Sequence, residues 1–427
     1  MSAAPTRRAF LRDTALAAGA SLCVPGWLSA ALASGRPPRA RGDRRLVLLF
    51  LEGGNDGLNT VVPYDDERYH AARPKLAVSP AAVVRLDGVP GGEGLGLHPA
   101  LAPWRALAED GRLTVLQGVG YPRPDRSHFL SRDVWDSGLR EATAEARTTG
   151  WVARAAARAA AAASATLPPV GLGAAESPLV LRGERGEGLT LSDLDAFEVV
   201  AAAGDERGRD LLRAVVGAGG PDAGSGDAAS ALAERLATTA AETLDAASRL
   251  RASVERIPPG EGYPDTRLAR TLRLAARLCR AEAGPPVLWA SLGGFDTHAL
   301  QAGTHAALLG QLAAATAAFQ ADLARDGSDV RVLTLVHSEF GRRVAENGSA
   351  GTDHGAAAPL FALGPAARGG VLGAPPDLDD LEDGDLRMQT DFRAVFSEAV
   401  RDWLGWDARD LFDGPFTDGR AAAGLLA

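Results

Sequence analysis

A series of continuous apolar runs punctuates the chain, at 46–51, 113–117, 286–291, 332–336 and 359–363, and polar segments containing glycine separate them. Apolar runs without alternation predict strands buried on both faces, as in a parallel sheet covered by helices. Between the runs the pattern changes to helical spacing. Residues 129–138 predict a helix, 153–163 contain only Ala and Arg, and 228–283 repeat small apolar and Arg/Glu positions at that period. A glycine-rich piece, 217–226, reads as a loop, and 168–181 as one short strand with a turn at Gly173. The expectation is one α/β domain over 46–427, with a mostly helical insertion over 139–285.

The N-terminal end reads as an address rather than as part of the fold. Arg7 and Arg8 form a twin-arginine pair, a weakly apolar stretch starts at Ala15, and Ala31-Leu32-Ala33 is a small-residue cleavage site. This order predicts a Tat signal peptide over 1–33, carried by the Tat translocase, and a periplasmic or secreted mature protein. Leu22 is too large to precede a lipoprotein cysteine at Cys23. A Pro/Arg-rich linker, 34–45, follows. The whole chain carries −9; cleavage removes Arg7, Arg8, Arg12 and Asp13 and makes the mature charge −11. That balance argues against nucleic acid and anionic membrane surfaces as partners. Cys279 is the only cysteine left after cleavage, so no intrachain disulfide can form. No mature segment approaches the ~20 apolar residues that span a bilayer.

Chemistry-bearing residues gather just after the predicted strands. Glu52 to Asn59 follows the first run; its glycines allow tight turns, so Asn55 and Asp56 either face a crevice or form an ordinary Asn-Asp-Gly turn. The spacing matches neither dinucleotide-binding nor P-loop fingerprints. After the second run come Ser127 and His128, a nucleophile with a neighbouring imidazole or, alternatively, a helix cap. Asp296 and His298 follow the run at 286–291, and His305 lies either toward them or on the outer face of a helix. Glu339 follows the run at 332–336, and Asp353-His354 precedes the last one. These are metal-ligand types, though a loop salt bridge with a structural His uses the same residues. In an open α/β sheet, the carboxyl ends of strands converge on one crevice, which would unite all five pieces.

The order LFLEGGNDGLNTVVPY, DRSHFLSRDVWDSG, GGFDTH, SEFGR, GTDHG and TDFR behind a Tat leader resembles exported bacterial proteins of the DUF1501 family. That family is similar to a distant branch of the alkaline phosphatase and sulfatase superfamily. The resemblance implies a three-layer α/β/α sandwich around a mainly parallel sheet and metal-dependent hydrolysis of phosphate or sulfate esters. It implies one or two divalent ions (zinc, manganese or calcium) held by Asp56, Asp296, His298, Glu339, Asp353 and His354. Ser127 matches the hydroxyl nucleophile, with His128 beside it, and Asn55, Arg126 and Arg342 would hold a small anionic ester. The chain has no Cys-x-Pro-x-Arg sequence, which disfavours a formylglycine sulfatase. A non-catalytic exported binding or accessory protein on the same fold is the alternative.

Overall fold

The computed structural model describes residues 43–162, 168–174, 176–184, 188–191, 254–282 and 284–427. The expected Tat leader and nearly all of the expected linker lie outside the described residues, as do 192–253 of the Ala-rich stretch. Arg44–Ala427 form one compact unit.

The central sheet is built from β1 (Arg45–Glu52), β2 (Leu113–Gly120), β3 (Val170–Leu172), β4 (Leu189–Leu191), β5 (Val287–Gly293), β6 (Val332–His337), β7 (Ala358–Leu363), β8 (Gly370–Leu372) and β9 (Thr390–Asp391). Their spatial order is β8-β2-β7-β6-β1-β5-β3-β4, with β9 pairing beside β2. β7 is antiparallel to both its neighbours, and every other pairing is parallel. The apolar runs become these strands because a doubly covered strand needs no polar face. In β1, Val47, Leu49 and Leu51 enter one core while Leu46, Leu48 and Phe50 enter the other. Each fully buried Leu contributes roughly 1.5–3 kcal/mol.

Helices cover both faces. α1 is His128–Ser137, α2 Trp151–Ala162, α3 Arg267–Arg280, α4 Gln301–Ala324 and α5 Phe392–Glu398. Leu272 of α3 and Phe319 of α4 pack in the first core; Trp135, Trp151 and Phe396 of α1, α2 and α5 pack in the second. The result is the three-layer α/β/α sandwich with a mainly parallel sheet. Two expectations change in detail. The run ending at Leu363 is antiparallel, and within 139–285 the described residues include β3 and β4, which extend the central sheet between α2 and α3.

The reversal of β7 positions the site. Parallel strands β1, β2, β5 and β6 deliver the residues after their carboxyl ends to one edge of the sheet. An antiparallel strand brings the residues before its start to that same edge, and those residues include Asp353 and His354.

Candidate metal centre

Each side chain at the edge is set by a strand end. β2 runs through Tyr121 to the start of α1, whose first residue is His128. β5 ends at Gly293, and the loop after it carries Asp296 and His298. The loops must approach closely: Gly53, at φ 114°, follows β1, and a Cβ there would stand 2.4 Å from the Asp296 amide nitrogen. Gly351 likewise lies against the His298 backbone, where an added Cβ would be 2.2 Å from its carbonyl carbon. Any side chain at either position pushes the loops apart.

His128, Asp296 and His354 present ligand atoms that all lie within 4.8 Å of one another. Around Asp296 Oδ1 stand His128 Nε2 at 3.3 Å, His298 Nε2 at 3.0 Å and His354 Nε2 at 3.1 Å. His298 Nε2 and His354 Nε2 are 2.9 Å apart. Ligand atoms bound at ~2.0–2.1 Å to one tetrahedral zinc stand roughly 3.3 Å from each other, so the spacing suits a shared cation.

The other ring nitrogens decide the chemistry. His128 Nδ1 is 2.8 Å from Glu339 Oε1, His298 Nδ1 is 3.2 Å from Asp353 Oδ1, and His354 Nδ1 is 2.8 Å from the Arg126 carbonyl. A carbonyl accepts only, and so does an ionised carboxylate, so these contacts place a proton on Nδ1 of each ring; in the neutral imidazole Nε2 then keeps its lone pair and can bind a cation, and in the imidazolium it donates instead. Three imidazole Nε2 atoms and a carboxylate oxygen therefore face one another. His128 Nε2 is buried and lacks a hydrogen-bond partner among the described residues. With neutral rings these acceptors repel, and a cation or protons are what they can share. An outer group on each ring also fixes its orientation, as metal-bound histidines require.

The surrounding charges fit this arrangement. Partial burial opposes the charge on Asp296, yet the Arg342 guanidinium and His354 hold its carboxyl far below the ordinary range. Burial likewise opposes charge on Glu339, but the bond from His128 and the amides around it keep it ionised. In return, the hydrogen bond to Glu339 lifts His128 above its usual value against its partial burial.

Residues 92–416 match the family described as "Protein of unknown function (DUF1501)". The chain belongs to the DUF1501 family. No curated protein matches it. Among solved structures it is similar to the phosphonate monoester hydrolase SpPMH from Silicibacter pomeroyi, at 13% identity and TM-score 0.37, over 89% of this chain and 78% of that one.

In this DUF1501 chain the structure brings together His128, Asp296, His298 and His354, and sets other expected ligands behind them. Glu339 is buried, accepts from the Gly53 amide at 2.9 Å and orients His128 instead of joining the centre. Asp353 orients His298 and is itself held by Asn347 Nδ2 at 3.1 Å. Asp56 is not in the group. Its carboxylate is fully buried, bonded to Arg73 at 2.6 Å and to Gln301, and caps the turn Gly57–Thr60 through the Asn59 amide.

The expected substrate contacts are also reassigned. Asn55 is buried, and its Oδ1 accepts from Thr60 and His305 at 3.1 and 3.0 Å. Arg342 has no exposed side-chain surface; it bonds the carbonyls of Gly53, Gly54, Phe295 and Thr352 and Asp296 Oδ1, stitching the loops together. Arg126 turns its guanidinium to Asp385 and serves the centre through its carbonyl. His128 turns its Nδ1 to Glu339, so that nitrogen is not available to Ser127 as a base. Ser127 occupies the N-cap position of α1, yet its side chain makes no capping bond. His305 is buried and pushed down to about 4, and His337 is stacked on Trp135 and pushed down to about 3, both by burial.

The sequence reading missed His128 as a ligand and missed Arg132 and Asp136, one and two turns farther along α1. The i, i+4, i+8 spacing from His128 placed them on its face of the helix.

Proposed function

We propose that this protein is an exported, metal-dependent hydrolase of phosphate or sulfate esters, working at a single centre formed by His128, Asp296, His298 and His354. The observation that carries the reading is the set of three imidazole Nε2 atoms around Asp296 Oδ1, each turned inward by an acceptor on its Nδ1. Three nitrogens and one oxygen suit zinc or manganese better than calcium, which takes oxygen ligands. When bound, such an ion supplies Lewis acidity toward an ester oxygen and makes a nucleophile available at neutral pH. The protein's own part is orientation. Glu339 and Asp353 hold two rings, Arg126 the third, and Arg342 keeps Asp296 ionised and in place. Ser127, half-buried next to His128 and free of a capping bond, is the candidate nucleophile.

A second reading has one observation in its favour: Arg342, an expected anion contact, is buried and already bonded. A binding or accessory protein would lack turnover, with or without a structural cation. Purification without chelator, elemental analysis and assays with p-nitrophenyl phosphate, its diester and p-nitrophenyl sulfate separate the two. Bound metal with turnover that vanishes in Asp296→Ala supports the hydrolase. Bound metal without turnover on any ester, or wild type that stays metal-free after reconstitution with zinc or manganese, supports the accessory protein.

A further inference from the structure

α1 carries His128 at its first residue and then turns two more groups into a separate cavity. This cavity is about 720 Å³, within the roughly 300–1,000 Å³ of small-molecule sites. Its floor is the end of β5, including Ser291 and Gly293, with Glu52 from the end of β1 beside it. Glu176, Arg267 and Gln311 close the far side. It lies along the same strand-end edge as the metal centre.

Two groups in the cavity wall are under-used. Arg132 approaches Glu52 and Asp136 only at 3.7 Å, beyond hydrogen-bond range, and stacks 5.3 Å from the Phe50 ring centroid. Its guanidinium makes no hydrogen bond among the described residues. Asp136 Oδ2 is buried with no hydrogen-bond partner there, one helical turn on. A buried acceptor without a partner costs stability, and such groups in native structures have a reason. Burial pushes the Asp136 carboxyl up to about 7, so it can donate as well as accept near neutral pH.

The lining selects among ligand classes. Arg132, Arg182 and Arg267 repel a cation; Glu52, Asp133 and Glu176 repel an anion. Hydroxyl and amide side chains at Ser177, Ser291 and Gln311 accept either partner role. A neutral group rich in hydroxyls offers acceptors to arginine and donors to carboxylates together.

We infer that this cavity binds a neutral polyhydroxylated group, a sugar or polyol, with Arg132 and Asp136 gripping adjacent hydroxyls. Resting on the hydrolase reading, this group is the part of the ester that does not react. The binding itself stands without turnover.

The test is binding of the mature protein to a printed array of neutral, uronic-acid and amino oligosaccharides, beside Arg132→Met, Asp136→Leu and Asp296→Ala. The expected result is retention on neutral glycans, weakened about tenfold or more in Arg132→Met through loss of charge-assisted hydrogen bonds. Asp296→Ala should bind as wild type, which separates this inference from the metal chemistry. Asp136→Leu is read only if its circular dichroism and thermal midpoint are near wild type; the half-exposed Arg132 carries the test otherwise. Retention on charged glycans alone, on none, or equally by Arg132→Met overturns the inference.

Discussion

Two carboxylates lie at the same edge of the sheet, Asp56 after β1 and Asp296 after β5, and they have opposite company. Asp56 is enclosed with a guanidinium, an amide side chain and a backbone amide, all donors, and neither it nor Arg73 exposes any side chain. Asp296 is about half exposed and faces three imidazole Nε2 atoms, with the Arg342 guanidinium bonded to it. The first carboxylate is finished by the protein. The second is left incomplete toward a positive charge from outside, and incompleteness of that kind marks a site more reliably than acidity or position does.

The largest test of this contrast is to break the finished pair. Arg73→Met strands a buried carboxylate and should cost about 3–5 kcal/mol of unfolding free energy. Asp296→Asn, measured in metal-free protein, should cost about 1 kcal/mol or less, because the group is partly in water. Equal losses in urea titration would erase the distinction. Next comes the metal. Zinc or manganese at 100 to 1,000 times its dissociation constant should stabilise the wild type by about 2.7 to 4.1 kcal/mol, and chelation should remove that gain. Glu339→Gln should weaken metal affinity roughly 10- to 100-fold by loosening His128, whereas Asp56→Asn should leave affinity near wild type if it folds. An unchanged thermal midpoint in all forms would show that the acceptors are shared by protons.

A third effect is a pH dependence away from the centre. Asp136 holds its proton in the folded state up to about 7, against 3.8 as the ordinary value. The folded protein therefore binds the extra proton, and stability is full below about pH 4 and declines as pH rises through 7. Arg132, Asp133 and Glu339 are the charged groups acting on it. Asp136→Asn should flatten the decline in unfolding free energy between about pH 4 and 7. A parallel decline in the variant would assign it to another group. The smallest effect on the fold belongs to Ser127→Ala, within about 0.5 kcal/mol, since no capping bond is lost. Hydrolysis, where found, should nevertheless disappear.

The sheet was legible because its strands are buried on both sides: 46–51 could hardly be anything but a core strand. β3 and β4 were not, since three-residue strands in an Ala-rich stretch leave little periodic signal. At the site, residue types and strand-end positions gave Asp296, His298 and His354. Partners did not show. Arg73 and Gln301 lie 17 and 245 positions from Asp56, and nothing local announces that they will neutralise it. His128 looked like a base for Ser127 because the two are adjacent, but adjacency in sequence says nothing about where a ring faces. Arg342 looked like an anion clamp for the same want of tertiary information.

The reversed strand β7 has a consequence for when the centre comes into being. Its ligands enter the chain at 128, 296, 298 and 354, so the first waits for the last across most of the molecule. Until β7 docks between β2 and β6, His354 is absent and the ion has an incomplete set of ligands. On the proposed metal reading, binding then follows folding instead of nucleating it. On the export route proposed above, which moves folded proteins, the compartment of synthesis would choose the ion and the destination would inherit it.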